Sequence, residues 1–184
     1  MDPVSHPFRR HLAAAALATL LAAAPAGAAL ADSGTELLAA LAGNWTARGM
    51  VRESAASAAE AVVCRTSSSL ARQGTQLKNT GKCAGAQAKV NVAGALSYST
   101  ATGLLTGNLL TTGDGQGSTS TTGRPSSTGV QLKTVSSDAR GAVVARGTVD
   151  IALTGDTSYT LRVVLTEAAS GKRYTAADMT FTRR

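Results

Sequence analysis

Residues 64–83, CRTSSSLARQGTQLKNTGKC, decide the fold because they describe a β-hairpin that carries its own cross-link. The dipeptide Gln73-Gly74 lies at the centre of this stretch, and we predict that it forms a two-residue hairpin turn. Cys64 and Cys83 lie at equal distances from the turn on either side, so they face each other across the two strands. Facing residues in an antiparallel pair are close enough for a disulfide.

The same register sorts the other residues of the hairpin onto two faces. Leu70 faces Leu77 on the cysteine side, which suits a buried face. Arg65 faces Lys82 on the other side, where both side chains must extend into water. A redox-active cysteine pair is the alternative, but it usually has C-x-x-C spacing at the start of a helix. We therefore predict a structural disulfide.

The first 31 residues indicate export. They combine a basic pair at 9–10, an apolar run at 12–24 and the sequence Ala-Leu-Ala at 29–31, which is the layout of a secretory signal peptide. The apolar run is short for a bilayer span, and no second such run follows. We expect a signal peptide at 1–31, a single domain at 32–184, a periplasmic or secreted location and no membrane span.

Cleavage at this site would remove both histidines, His6 and His11. The remaining chain would hold 16 basic and 10 acidic residues, a net charge of +6 against +7 for the whole sequence. The absence of histidine excludes a Ser-His-Asp triad, a Cys-His pair and histidine-containing zinc or copper sites. The carboxylates are scattered, and the basic residues lack the interleaved aromatics that stack on bases. We expect no enzyme, no metal site, no cofactor and no nucleic-acid partner.

A short helix is predicted at the start of the mature chain. Residues 33–36 form a capping box, and Leu37, Leu38 and Leu41 follow at helical spacing. Gly43 is expected to end the helix.

From residue 44 onward, short runs rich in valine, leucine, threonine and tyrosine alternate with glycine turns. No helical segment separates them, which favours an antiparallel meander that closes into a barrel or a sandwich. Residues 111–128 are almost wholly glycine, serine and threonine, and we predict a long loop with room for one short strand. The fold class is an all-β, antiparallel up-and-down barrel of about 8–10 strands. The predicted strands are 45–53, 60–70, 75–84, 89–98, 104–111, 130–136, 142–153, 159–167 and 174–181.

An outer-membrane barrel would share the meander and the signal peptide. It needs aromatic girdles at two membrane interfaces, and the mature chain has too few aromatic residues to form them. They are Trp45, Tyr98, Tyr159, Tyr174 and Phe181.

The segment 113–117, GDGQG, is the one candidate loop for a phosphate or a calcium ion. It lacks the helix that follows a nucleotide-binding loop and the acidic spacing of an EF-hand. We interpret it as a turn.

The residues 41–45, Leu-Ala-Gly-Asn-Trp, resemble the Gly-x-Trp start of lipocalin-like barrels. The resemblance implies that Trp45 closes one end of the barrel core. It also implies that an arginine near the last strand packs on the tryptophan, and Arg183, Arg184 and Arg162 are the candidates.

Trp45 followed by Cys64 and Cys83 is also similar to the metalloprotease-inhibitor family of Gram-negative periplasms, whose members carry one disulfide of comparable span. This resemblance covers residues 41–84. It implies that residues 32–41 would enter a protease cleft.

These observations leave three function classes. The leading hypothesis is a non-enzymatic, monomeric periplasmic or secreted barrel that binds a small apolar ligand inside a modest cavity, or a protein at its rim. The alternative is a periplasmic protease inhibitor, and the third is an enzyme that uses carboxylates or serine and lysine. An enclosed apolar cavity would favour the ligand binder, a flexible N-terminal arm the inhibitor and a cleft with paired carboxylates the enzyme.

Overall fold

The computed structural model describes residues 32–86, 89–112 and 117–184. The predicted signal peptide and most of the GDGQG segment lie outside these ranges. Within them, one α-helix is followed by ten strands, with a short 3₁₀ turn at Arg72–Gly74 between the second and third strands. The elements are α1 (Ser33–Leu41), β1 (Gly43–Val51), β2 (Glu60–Ala71), β3 (Gln76–Ala84), β4 (Lys89–Ser99), β5 (Leu104–Thr112), β6 (Gly117–Ser126), β7 (Gly129–Asp138), β8 (Val143–Gly155), β9 (Ser158–Glu167) and β10 (Arg173–Arg183).

The ten strands form a closed antiparallel barrel. Each strand pairs with the next one along the chain, and β10 pairs with β1 to close the sheet. Closure leaves no strand edge unpaired, which removes the usual site of edge-to-edge association. The all-β up-and-down barrel with a short N-terminal helix is therefore confirmed.

The hairpin β2–β3 has the predicted register. Cys64 faces Cys83, and Leu70 faces Leu77. Leu77 is buried as expected, but Leu70, next to the turn, is 43% exposed, so the expected burial is wrong for this leucine. The two cysteines form a disulfide, and their Cα atoms lie 4.0 Å apart. The like-charged pair, Arg65 and Lys82, is exposed on the outer face of the barrel.

The turn of this hairpin requires a left-handed backbone. Gln73 and Gly74 have φ angles of 56° and 87°, and the Thr75 amide donates a hydrogen bond to the Arg72 carbonyl at 3.2 Å. These are the features of a type I′ turn, whose twist matches that of the strands it joins. Arg72 also has a positive φ of 49°, and the regular ladder begins only at Ala71.

Strand β6 corrects the sequence analysis. The predicted loop at 111–128 holds a full strand, which pairs with β5 on one side and β7 on the other. Serine and threonine fill this strand, so it shows none of the apolar alternation that revealed the others. The other predicted strand ends lie within two residues of the observed ones, and several coincide with them.

The helix cap is also corrected by one position. Asp32, not Ser33, caps α1, and its carboxylate accepts a hydrogen bond from the Gly34 amide at 3.2 Å. The helix ends at Leu41, and Gly43 follows with a φ of +134°.

The helix α1 closes one end of the barrel. Leu37 and Leu38 are completely buried, and Gly34 packs against the ring of Tyr98 on β4. The hydrogen bond between Tyr98 and Asp32 raises the pKa of the tyrosine and ties the start of the helix to the same strand. The core lies inside the barrel next to the helix and includes Trp45, Leu77, Leu105, Leu132, Tyr159 and Phe181.

Candidate functional site

The barrel contains a cavity of about 330 Å³. This volume lies at the lower end of the range of small-molecule pockets, about 300–1,000 Å³. The cavity is lined by residues of α1 and of all ten strands, so it lies inside the barrel and not between two surface loops.

The floor of the cavity is the part of the core that packs against α1. Leu41 of the helix contributes to it together with Leu77, Tyr159 and Phe181. The ring of Tyr159 stacks on Phe181, with 4.3 Å between centroids, and meets Trp45 edge-on at 4.8 Å. This packed aromatic cluster blocks access to the cavity from the helix end.

One wall of the cavity is apolar. It is formed by the inward side chains of β8, β9 and β10, which alternate with outward polar residues such as Arg162 and Asp178. The inward residues of this wall are Val149, Ile151, Leu161, Val163, Ala177 and Met179.

The opposite wall carries neutral polar groups. It is formed by Thr66 and Ser68 on β2, Asn79 on β3, Asn108 on β5, and Thr119 and Thr121 on β6. The apolar residues Val92 and Leu96 of β4 lie between them. The amide of Asn79 donates a hydrogen bond to the Ser68 hydroxyl at 2.7 Å. The hydroxyl of Thr119 lies 3.2 Å from that of Ser136.

Two hydroxyls of this polar wall have no hydrogen-bond partner among the described residues. They are the Oγ1 atoms of Thr66 and Thr121, and both atoms are buried. Thr66 is only 5% exposed. Buried hydroxyls in folded proteins are normally paired with protein groups or with ordered water.

No side chain with a formal charge is among the described residues that line the cavity. Tyr159 is the one ionisable group there, and burial raises the pKa of its hydroxyl, so it stays neutral at physiological pH. Cys64 and Cys83 also line the cavity but are held in the disulfide. The lining thus offers van der Waals contact and neutral hydrogen bonds.

Trp45 is buried below the cavity floor, with 1% of its surface exposed. Its indole nitrogen donates a hydrogen bond to the Leu41 carbonyl at 3.0 Å. Of the three candidate arginines, Arg183 packs on the tryptophan, with its guanidinium carbon 4.5 Å from the ring centroid. The same guanidinium donates hydrogen bonds to the carbonyls of Ala42 at 2.9 Å and Ala40 at 3.1 Å.

The far end of the barrel, away from α1, holds the connection between β1 and β2. Glu167 accepts hydrogen bonds from the Ala55 amide at 2.6 Å and from the Ser170 hydroxyl at 2.5 Å. These bonds, led by that of Ser170, lower the pKa of the carboxylate. The hydroxyl of Tyr174 donates to the Glu53 carbonyl at 3.1 Å. This connection is thereby tied to β9 and β10.

Residues 33–41 form the packed helix α1 and not a free arm. The part of the chain that the structure describes contains no group of three or more histidine, cysteine, aspartate or glutamate residues that could hold a metal ion. None of its helices is long and apolar enough to cross a membrane.

The polar wall was not predicted from the sequence, although the alternation along β2 already placed two of its residues on the inner face. Thr66 and Ser68 have the same parity as Cys64 on one strand, so the predicted register already turned them inward. Thr119 and Thr121 were assigned to a loop, and a residue in a loop has no predicted face.

No family model matches the chain, and no curated protein sequence matches it. Among solved structures, the chain is similar to an S-type phycobiliprotein lyase from Guillardia theta, with a TM-score of 0.56 and 12% sequence identity. The match covers 81% of this chain and 91% of the other. At this identity the similarity shows a shared barrel fold and nothing about activity.

Proposed function

We propose that the protein is an exported, non-enzymatic binding protein that holds a small, largely apolar ligand inside its barrel. The observation that carries the proposal is the cavity of about 330 Å³ between the aromatic floor and the far end of the barrel. A concave, mostly apolar site with a few polar groups is the usual form of a small-molecule pocket.

The chemistry of the lining supports binding over catalysis. General acid-base or nucleophilic catalysis needs a titratable or activated group within reach of the substrate. The described lining offers neutral tyrosine, serine, threonine and asparagine, with no carboxylate, lysine or arginine. The structurally similar protein is named a lyase, but at 12% sequence identity we do not infer lyase activity for this chain.

The disulfide supports a location outside the cytosol. Such bonds persist in the periplasm and in secreted proteins and are rare where thiols are kept reduced. The bond between Cys64 and Cys83, together with the signal-like residues 1–31, is the basis for proposing export.

The protease-inhibitor alternative has less support. It requires residues 32–41 to enter a protease cleft, yet Leu37 and Leu38 within this segment are completely buried against the barrel. Inhibition would need α1 to leave its site and expose both leucines, which disfavours this mode.

Titration with 1-aminoanthracene, a small apolar fluorophore, tests the proposal. We expect saturable fluorescence enhancement with the wild-type protein. The substitution Ala177→Phe places a ring in the cavity and should abolish the enhancement, because Ala177 lines the apolar wall. Ala61→Phe is the matched control, since Ala61 is exposed on the outer face of β2, and it should bind the dye normally.

Native mass spectrometry of protein purified from its own host gives a second readout. A bound neutral mass that is absent from the Ala177→Phe variant would support the proposal. Equal dye binding by wild type and Ala177→Phe would show that the dye occupies the surface, and the proposal would then be wrong.

A further inference from the structure

We infer that the end of the barrel opposite α1 docks on the surface of a bilayer that contains anionic phospholipids. This inference does not depend on the proposed function, because it rests on the outer surface of the barrel and not on the cavity.

The connections at the two ends of the barrel differ in composition. In an up-and-down meander they alternate between the ends, and α1 leads into the start of β1. The connections at the α1 end are therefore those after β2, β4, β6 and β8, and they are mostly polar: residues 72–75, 100–103, 127–128 and 156–157. The connections after β1, β7 and β9 lie at the opposite end and are rich in alanine: residues 52–59, 139–142 and 168–172.

Exposed apolar side chains cover the end opposite α1. Val143 and Val144, at the start of β8, are 37% and 45% exposed. The connection after β9 lies beside them, because the Ala168 amide donates a hydrogen bond to the Val144 carbonyl at 2.9 Å. Exposed alanines of the three connections extend this apolar surface: Ala56, Ala58, Ala59, Ala139, Ala142, Ala168 and Ala169. Clustered exposed apolar residues are typical of a contact site for a protein or a membrane.

Arginines flank this apolar surface. Arg140 lies in the connection after β7. Arg146 on β8 and Arg173 on β10 lie at one level of the sheet, because both pair with Thr166 of β9. All three arginines are exposed, and their side chains make no hydrogen bond or ion pair with the described residues. Their charges are therefore directed to the solvent.

Two nearby carboxylates bond instead to groups of the protein. Asp138 accepts hydrogen bonds from the amides of Arg140 and Ala142, each at 2.9 Å. Glu167 accepts bonds from the Ala55 amide and the Ser170 hydroxyl. Glu53 and Glu60, beside the connection after β1, are further acids at this end. The acids beside β8 and β9 thus hold the connections in place, whereas the arginines extend outward.

Apolar tips flanked by arginines match the surface of an anionic bilayer. Valine and alanine side chains would enter the boundary between head groups and acyl chains. The negative surface potential of anionic lipids attracts each arginine, and a guanidinium binds phosphate oxygens through two parallel hydrogen bonds. A dissolved acidic polymer would satisfy the arginines but would leave the valines and alanines in water. The combination therefore favours the bilayer.

Cosedimentation with lipid vesicles tests the inference. We expect the wild-type protein to bind phosphatidylcholine vesicles that contain phosphatidylglycerol, and not vesicles of phosphatidylcholine alone. Raising the ionic strength from about 0.05 M to about 0.5 M should weaken the binding, because it screens the attraction. The triple substitution Arg140→Gln, Arg146→Gln and Arg173→Gln should weaken it by at least about tenfold.

The matched control is the triple substitution Arg72→Gln, Lys78→Gln and Arg184→Gln. It removes the same charge from exposed residues at the α1 end, and it should weaken the binding by less than about threefold. An equal loss in the two triple variants would overturn the inference, because the net charge alone would then attract the protein. Binding of wild type to polyglutamate but not to the anionic vesicles would also overturn it, in favour of an acidic polymer.

A tryptophan probe shows which end contacts the bilayer. Trp45 is the single tryptophan of the sequence and is 1% exposed, so its emission should not respond to vesicles. In Val144→Trp the emission should move to shorter wavelength when anionic vesicles are added. In Leu70→Trp it should not, because Leu70 is similarly exposed, at 43%, but lies at the α1 end. A shift in Leu70→Trp without one in Val144→Trp would place the wrong end on the membrane and overturn the inference.

Discussion

At the residue scale, Arg183 joins the two ends of the chain that the structure describes. Its guanidinium covers the Trp45 ring and holds the last turn of α1 through two backbone carbonyls. Gly43 makes room for this contact, because a Cβ at that position would lie 2.4 Å from Nη1 of Arg183. The Gly-x-Trp sequence therefore has a physical reason in this barrel: the glycine admits the arginine that covers the tryptophan.

The substitution Arg183→Ala should destabilise the protein by about 1–3 kcal/mol, because it removes two charge-assisted hydrogen bonds and a cation–π contact. For a chain of this size the melting temperature should fall by a few degrees. Arg184→Ala is the matched control, since Arg184 is exposed and its side chain makes no hydrogen bond or ion pair with the described residues. Equal melting temperatures for the two variants would show that Arg183 does not hold the helix.

The raised pKa of Tyr159 should make the free energy of unfolding depend on pH in the alkaline range. Burial raises the pKa of its hydroxyl, whereas the unfolded chain ionises at the ordinary value of about 10. Above about pH 10 the unfolded state therefore releases a proton that the folded state retains, and the free energy of unfolding falls as pH rises. Tyr98 and Tyr174 act in the same direction, because their pKa values are also raised.

Urea unfolding at about pH 8 and about pH 11 measures this effect. The variant Tyr159→Phe should resemble wild type at the lower pH and should lose less stability at the higher one. If both proteins lose the same stability between these pH values, ionisation of Tyr159 does not contribute to alkaline unfolding.

At the element scale, the hairpin β2–β3 could be predicted almost completely from local sequence. Its turn dipeptide, its cross-strand cysteines and its leucine pair all agree on one register, and neighbours in the chain are sufficient to set it. Local sequence could not show which of the three candidate arginines packs on Trp45. That contact depends on the register of β10 against β1 and on a bulge between Thr175 and Ala177, which are features of the assembled sheet.

The disulfide closes a loop of 19 residues in sequence separation and should contribute about 3 kcal/mol. Replacement of Cys64 and Cys83 by serine should therefore lower the melting temperature by roughly 6–12 °C. Wild-type protein reduced with dithiothreitol should show a similar loss. Superimposable melting curves for the variant and the oxidised wild type would contradict a structural role.

Strand β6 shows why an element can be invisible in sequence. Its inward positions are Thr119 and Thr121, so the side that faces the cavity is as polar as the side that faces water. Hydrophobic alternation depends on a difference between the two faces, and here that difference is small. The strand forms because β5 and β7 supply hydrogen-bond partners along its length.

Inward glycines let neighbouring strands approach closely, and Gly147 on β8 is the tightest case. A Cβ built there would lie 1.9 Å from the carbonyl oxygen of Val164 on β9, so the backbone itself would have to move. Gly147→Ala should destabilise the protein by about 1–3 kcal/mol through overpacking. The melting temperature of the variant measures this cost.

Gly85→Ala is the control for Gly147→Ala. The atoms nearest to a Cβ at Gly85 would be those of the Glu60 carboxylate, the far end of a flexible side chain and not backbone. This control should melt within about 2 °C of wild type. If both variants melt alike, the close approach of β8 and β9 does not limit the barrel.

At the scale of the whole molecule, the meander predicted a closed barrel. The small residues of the strands left two possibilities open, a filled core or a modest cavity, and the volume of the cavity could not be predicted. Its volume depends on which inward positions of different strands lie at the same level. Large residues such as Trp45, Leu105 and Leu132 fill the level of the barrel next to α1. The next level, farther from α1, holds the cavity and is lined by aliphatic and small polar side chains. That alignment is set by strand register around the whole sheet.

Because all ten strands and α1 contribute to the lining, ligand binding should stabilise the entire barrel and not one segment of it. A ligand that binds only the folded state adds about 2.7 kcal/mol at a free concentration one hundred times its dissociation constant. For a domain of this size the melting temperature should then rise by roughly 5–10 °C. The shift should grow with the concentration of 1-aminoanthracene in a thermal melt followed by circular dichroism. It should be absent for Ala177→Phe and retained for Ala61→Phe, because only the first substitution fills the cavity. A dye that saturates wild-type protein without raising the melting temperature would have to bind the unfolded chain equally well, and the barrel interior would not be its site.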